Sequence, residues 1–179
     1  FLPPIWSLLL GSKDKSLVYS LGGYLERKHN YLKLSVLSIT LMSVGFYFLR
    51  AKTHFLGDGY MNLSSLGSAK PLIKGTGFGE VKAHIWVKSL IGDGEPAALL
   101  SFQIISILSG IIFLTAVFFL ARKLFENRLE SFLFSLGIIS GGYMLLSFGY
   151  VEYYSLFVLS VTIYTLAGLL IINGKLNKW

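Results

Sequence analysis

The chain has 179 residues, of which 54% are hydrophobic, 15% aromatic and 14% charged, where a soluble domain carries about 25% charged residues. Its apolar residues gather into blocks of about 20, the length that crosses hydrocarbon, which excludes an ordinary water-soluble globule. Sixteen Lys and Arg against nine Asp and Glu give +7 with no Cys; the bases mark loops beside anionic lipid rather than a nucleic-acid surface, and disulfides, thiolate nucleophiles and Cys metal sites are excluded.

The predicted architecture is all-α, a multi-pass transmembrane helical bundle with a long extracytoplasmic first loop carrying short amphipathic helices. Residues 1–31 form an N-terminal cytoplasmic or interfacial segment, in which the run Phe1 to Leu10 is too short to cross and Pro3-Pro4 excludes a regular helix interior. An opening Phe1 reads as a fragment. The transmembrane domain is 32–173, with spans at about 32–50, 97–121, 131–148 and 153–172, an outer loop at 51–96, and a truncated cytoplasmic tail at 174–179.

The first span has one charge, Lys33, at its mouth, and the second has none between Ala97 and Ala121. The apolar block from Ser131 to Asn173 is too long for one crossing at 1.5 Å per residue, and Glu152 is its only acidic or basic residue apart from tyrosines. It reverses at Ser147 to Tyr153, where a glycine, the lone charge and headgroup-seeking tyrosines coincide. Lys13, Lys15, Arg27, Lys28 and Lys33 precede the first span, Arg122, Lys123 and Arg128 follow the second, and Lys175 and Lys178 follow the fourth. These three groups belong in the cytoplasm, and the turn at Glu152 and the loop 51–96 outside. The localisation read from this is a multi-pass protein of a prokaryotic plasma membrane with its N-terminus cytoplasmic.

In the outer loop, Met61 to Leu66 reads as a short helix capped by Asp58 between Gly57 and Gly59. Farther on, Glu80 to Ile91 reads as an interfacial amphipathic helix, with Ala83, Trp86, Val87, Leu90 and Ile91 on its apolar arc and Lys82, His84, Lys88 and Ser89 on its polar arc. Alternation at Val81, Ala83, Ile85 and Val87 leaves a strand open. Gly75-Thr-Gly-Phe-Gly79 lacks the strand and Gly-Lys-Ser/Thr of a phosphate loop and reads as a connector. Gly137 with Gly141, and Ser106 with Gly110, are small pairs that permit close helix packing.

Two acids carry a chemical reading as well as a bland one. Asp58 is either a helix cap or a carboxylate held at the membrane surface as a general base for a hydroxyl, with Gly57 and Gly59 letting substrate approach the backbone. Glu152 is either a polar turn residue or an acid retained in an apolar block for a purpose. The bias of Lys and Arg puts both on one face. His54 and His84 have no metal-ligand spacing; with Lys70, Lys74, Lys82 and Lys88 they are candidate phosphate partners whose default is a headgroup-facing role.

Phe55-Leu56-Gly57-Asp58-Gly59-Tyr60 beyond a first span ending near Arg50, a long outer loop, and Phe148-Gly149-Tyr150-Val151-Glu152-Tyr153-Tyr154 at the next outer turn resemble the N-terminal portion of GT-C polytopic glycosyltransferases, the superfamily of protein O-mannosyltransferases and lipid A aminoarabinose transferases. The resemblance covers roughly residues 32–173. It implies transfer of a sugar from a polyprenyl-phosphate donor to an acceptor at the outer membrane face, with inversion at the anomeric carbon. Asp58 then matches the catalytic acid of the first loop, and Glu152, Gly57, Gly59, Tyr60, His54 and Tyr153 fall at substrate-binding positions. A divalent cation, where relatives use one, would fall to Asp58 and Glu152. The implied partners are the lipid-linked sugar donor and membrane lipids, without nucleic acid, and this piece alone is expected to be inactive. The alternative is a non-enzymatic multi-pass membrane protein, a transporter or assembly subunit, in which Glu152 pairs or relays protons and Asp58 only caps a helix.

Overall fold

The structure is a computed structural model that describes residues 17–52, 57–71 and 77–175. The expectations placed on Phe1 to Leu10, Lys13, Lys15, His54, Lys74 and Lys178 lie outside the described residues. Among those residues the chain is helical without strands: α1 (Leu17–Leu25), α2 (Lys28–Phe48), α3 (Gly59–Gly67), α4 (Phe78–Ile91), α5 (Gly94–Leu124), α6 (Arg128–Ile139), a 3-10 helix (Gly142–Ser147) and α7 (Ser155–Ile172).

Among the described residues three helices are long and apolar enough to cross a membrane: α2 with 21 residues, α5 with 31 and α7 with 18. At 1.5 Å per residue α2 reaches about 30 Å, the thickness of a hydrocarbon core, and α5 exceeds it by several turns. The excess lets the first turns of α5 carry α3 and α4, and α5 packs against α2, α3, α4, α6, α7 and the 3-10 helix. Along α2 an apolar face of Leu32, Val36, Leu37, Leu41 and Val44 is turned outward, the arrangement suited to lipid rather than water.

The stretch 131–148 is divided rather than continuous. Twelve residues of α6 end at Ser140, Gly141 turns extended (φ −68°, ψ 144°), and a six-residue 3-10 helix follows. The break is built by Tyr143, whose hydroxyl donates to Ile138 O and whose ring lies where a Cβ on Gly141 would stand. A Cβ on Gly137 would meet nothing within 4 Å, so among the described residues Gly137 and Gly141 do not form a helix-packing seam, and Gly141 instead admits the Tyr143 ring. Gly110 does permit a close approach: a Cβ there would lie 2.6 Å from Ser147 Cβ and 2.8 Å from the Phe46 ring.

Helix ends meet at two levels. At one, Tyr31 Oη donates to Phe118 O (3.2 Å) or shares a proton with Ser131 Oγ (3.0 Å), joining α2, α5 and α6. At the same level Asn127 Oδ1 accepts from Leu129 N (2.8 Å) at the start of α6, and Lys175 Nζ donates to Leu124 O (2.6 Å) at the end of α5. At the other level Ala51 N donates to Phe148 O (2.8 Å) and Gln103 Nε2 to Ala51 O (2.8 Å), joining the end of α2, the start of α5 and the turn before α7. Between them lies an apolar layer centred on Phe46, Phe113, Leu114, Val117, Met144, Leu159 and Leu166.

Candidate functional site

The 148–154 turn is held before any functional side chain is placed. Ser106 Oγ donates to Leu146 O and accepts from Gly149 N (2.9 Å), so one hydroxyl on α5 serves a carbonyl and an amide that would otherwise be buried unpaired. Gly149 has φ +68°, and a Cβ there would sit 3.0 Å from Arg50 Cβ and 3.2 Å from Gln103 Cγ, so both conformation and space ask for glycine. Two residues on, Val151 is fully buried with Leu66, Ala98 and Phe102. That anchor fixes the backbone of Glu152.

Opposite stands the start of α3. Asp58 occupies its N-cap position and its carbonyl accepts from Asn62 N (2.8 Å), yet its side chain makes no capping hydrogen bond and is exposed. Gly57 has φ +60°, and a Cβ on it would lie 3.4 Å from Glu152 Oε1. Asn62, one turn into α3 and buried, donates from Nδ2 to Glu152 Oε2 (3.3 Å). The Gly57-Asp58 turn and the Glu152 carboxylate are therefore neighbours across 90 residues of sequence between Asn62 and Glu152.

The remaining sequence-predicted positions divide. Gly59 is buried at the head of α3, Tyr60 projects outward at 58% exposure, and His54 lies outside the described residues. Tyr153 is half-buried, edge-on to His84 at 5.3 Å and tilted on Phe102 at 5.1 Å. Burial, with added repulsion from Glu80 and Glu152, pushes its phenol up to about 12, so it remains a proton donor beside the two acids.

In α4 the exposure pattern is the reverse of a soluble amphipathic helix. Glu80, Val81, His84 and Lys88 are buried, while Phe78, Trp86 and Leu90 are more than half exposed. Of the polar arc His84 and Lys88 face inward while Lys82 and Ser89 stay exposed, and the buried charged groups are held by helix ends. Glu80 Oε1 accepts from Leu156 N (3.1 Å), and its carboxylate also receives the amides of Ser155 and Phe157, the unpaired donors at the start of α7. Burial raises the Glu80 pKa against the lowering effect of those amides. Lys88 Nζ donates to Leu66 O (2.8 Å), Ser68 O (3.3 Å) and Gly67 O (3.4 Å), the carbonyls at the end of α3. Lys88 is thereby committed and is withdrawn from the phosphate candidates. Lys82 lies over the Phe78 ring at 5.3 Å and Lys70 is exposed.

Asn62, Glu80 and Gln103 were missed by sequence reasoning, since each gains meaning only from a distant partner. Among the described residues no three His, Asp or Glu side chains come together to hold a metal ion. The side chains described at this end of the apolar bundle are two carboxylates, one amide donor and one phenol. No family model matches the chain, and no curated protein and no solved structure matches it either.

Proposed function

We propose that the chain belongs to a multi-pass membrane glycosyltransferase of the GT-C type, in which Asp58 is the general base and Glu152 orients the substrate at the outer membrane face. The observation that carries this reading is the contact of the Gly57-Asp58 turn with Glu152, reinforced by Asn62. An acceptor hydroxyl is a weak nucleophile near neutral pH. In the proposed step Asp58 takes its proton as the hydroxyl oxygen bonds to the anomeric carbon, and the bond from that carbon to the donor phosphate oxygen breaks, leaving its electron pair on the polyprenyl phosphate. Inversion follows from a single displacement.

Glu152, held by Asn62, accepts hydrogen bonds from the sugar or acceptor, and Tyr153 donates one from a phenol that stays protonated. Arg50, whose guanidinium lies over the Tyr47 ring at 4.3 Å where α2 meets the 148–149 turn, brings a positive charge for the departing phosphate. The lipid-borne donor explains why such groups gather at the mouth of an apolar bundle: its chain stays in hydrocarbon while its phosphate and sugar reach the surface.

The test is release of polyprenyl phosphate from radiolabelled polyprenyl-phosphate hexose and aminoarabinose donors, assayed with the full-length protein in nanodiscs. Asp58→Asn is expected to lower turnover by about 10²- to 10⁴-fold, the usual contribution of a general base, with folding unchanged. Undiminished release by Asp58→Asn removes the catalytic assignment, and no release from any donor by the unaltered protein removes the transfer reading.

A further inference from the structure

His84 lies in the middle of α4 at 1% exposure, with its ring tilted against Phe102 at 4.3 Å and edge-on at 5.3 Å to Tyr153. Its hydrogen bonds determine where its proton sits. Ser101 Oγ has one proton and donates it to the His84 carbonyl (2.9 Å), which can only accept. The second contact of the pair, His84 Nδ1 to Ser101 Oγ at 3.3 Å, is then made by an Nδ1 proton. A neutral ring with its proton on Nδ1 carries a lone pair on Nε2. Burial lowers the His84 pKa to about 3, so the ring stays neutral through the physiological range.

Nε2 is buried, and no described residue bonds to it. Left so, an acceptor of this kind does not recover its desolvation. Phe102 is fully buried and closes one side of the ring, and the half-buried Tyr153, next in sequence to Glu152, borders it edge-on. Nε2 is also fixed as an acceptor only: Ser101 locks the proton on the other nitrogen, and the ring cannot donate from this edge.

We propose that His84 Nε2 is a receptor for an O–H donor, either a bound water or a hydroxyl of a polyol or sugar entering past Tyr153, and that Ser101 sets the tautomer that makes it one. The assignment stands on the hydrogen-bond arrangement and does not depend on the transfer reaction. It adds a specificity element to the same end of the bundle, because a ligand placing an ether oxygen or an apolar carbon there leaves the lone pair unpaired, and one placing a hydroxyl satisfies it.

Long-range ¹H–¹⁵N NMR of histidine-labelled full-length protein in nanodiscs, assigned with His84→Gln, tests this. The expected result is the Nδ1–H tautomer, no titration between about pH 5 and 8, and an Nε2 resonance in the hydrogen-bonded range. If added glycerol or methyl glucoside moves that resonance, the donor is a ligand hydroxyl; if it is hydrogen-bonded and unmoved, the donor is water. Either supports the proposal. A proton on Nε2, an unbonded lone pair indifferent to every polyol, or loss of the bonded shift in Tyr153→Phe overturns it. Glutamine can place an acceptor where Nε2 stands, whereas asparagine can keep only the Nδ1-like donor to Ser101. Polyol binding, or protection of the bound water, is therefore expected to survive in His84→Gln and to weaken tenfold or more in His84→Asn. Equal loss in both, with folding intact, assigns the ring to packing and overturns the proposal.

Discussion

Lys88→Met tests how one inward-facing cation holds the end of the fold where α3 and α4 sit. Methionine keeps the length and apolar stem of lysine and removes only the ammonium. The ammonium donates to three carbonyls at the end of α3, of which Leu66 O is the shortest at 2.8 Å and belongs to a fully buried residue. A hydrogen bond to a charged group contributes about 1.5–3 kcal/mol, and a cation at a helix C-terminus adds about 0.3–1 kcal/mol. Removing a desolvated charge returns part of this, so the net loss is about 2 kcal/mol, close to a 30-fold change in the opening equilibrium. The effect should be local, because α3 is a nine-residue helix that cannot hold itself. Gly67 is already pressed on α5, where a Cβ would stand 2.8 Å from Glu95 Cγ, so an α3 end without its cation has no alternative seat. Hydrogen exchange in nanodiscs is the assay: amides of Gly59–Gly67 should exchange about 30-fold faster, with the middle of α5 unchanged. Less than a threefold change in α3, or an equal acceleration across α5, would refute the cap.

Two pH experiments of opposite sign accompany it. The folded pKa of His84 is depressed to about 3 from 6.5, so its contribution to stability is complete above pH 6.5 and is lost as pH falls toward 3, at up to about 1.4 kcal/mol per pH unit; thermal unfolding in detergent should show a flatter acid limb for His84→Gln, and an unchanged limb would contradict the burial argument. The folded pKa of Glu80 is raised above 4.5 by burial, so its contribution is present below pH 4.5 and is lost as pH rises through the folded value. Glu80→Gln, which keeps an acceptor for the Leu156 amide, should remove that decline, and a steeper decline in the variant would show that the amides outweigh the burial.

Much of the helical layout is legible in the sequence because hydropathy over a window of about 20 residues is a strong signal: α2, α5 and α7 fall on the blocks 32–50, 97–121 and 153–172. The break at Gly141 is not legible, since the run from Ser131 to Leu146 has no charge to mark it and the Tyr143 ring that occupies the space is itself apolar. The short helix at Gly59–Gly67 is legible from Asp58 and its glycines, while the capping role expected of the Asp58 side chain is absent. In α4 the predicted arcs hold only in part: His84 and Lys88 of the polar arc turn inward with Glu80 and Val81, whereas Lys82 and Ser89 stay exposed beside Trp86 and Leu90. The rule that charges face outward fails there because the buried partners are helix ends, which ask for a carboxylate at α7 and an ammonium at α3. Asn62 is silent for a different reason: a single asparagine in a short helix means nothing until Glu152 is beside it.

The lack of cysteine makes the central claim directly measurable. The account holds that Asp58 and Glu152 share one site at the outer face of a membrane. Asp58→Cys and Glu152→Cys, singly and together in the full-length protein in intact cells, can be treated with a membrane-impermeant maleimide and a short bismaleimide. The account predicts that both single variants label from outside without permeabilisation and that the double variant cross-links within one chain. Labelling of either position only after permeabilisation, or two reactive cysteines that never cross-link, would contradict it.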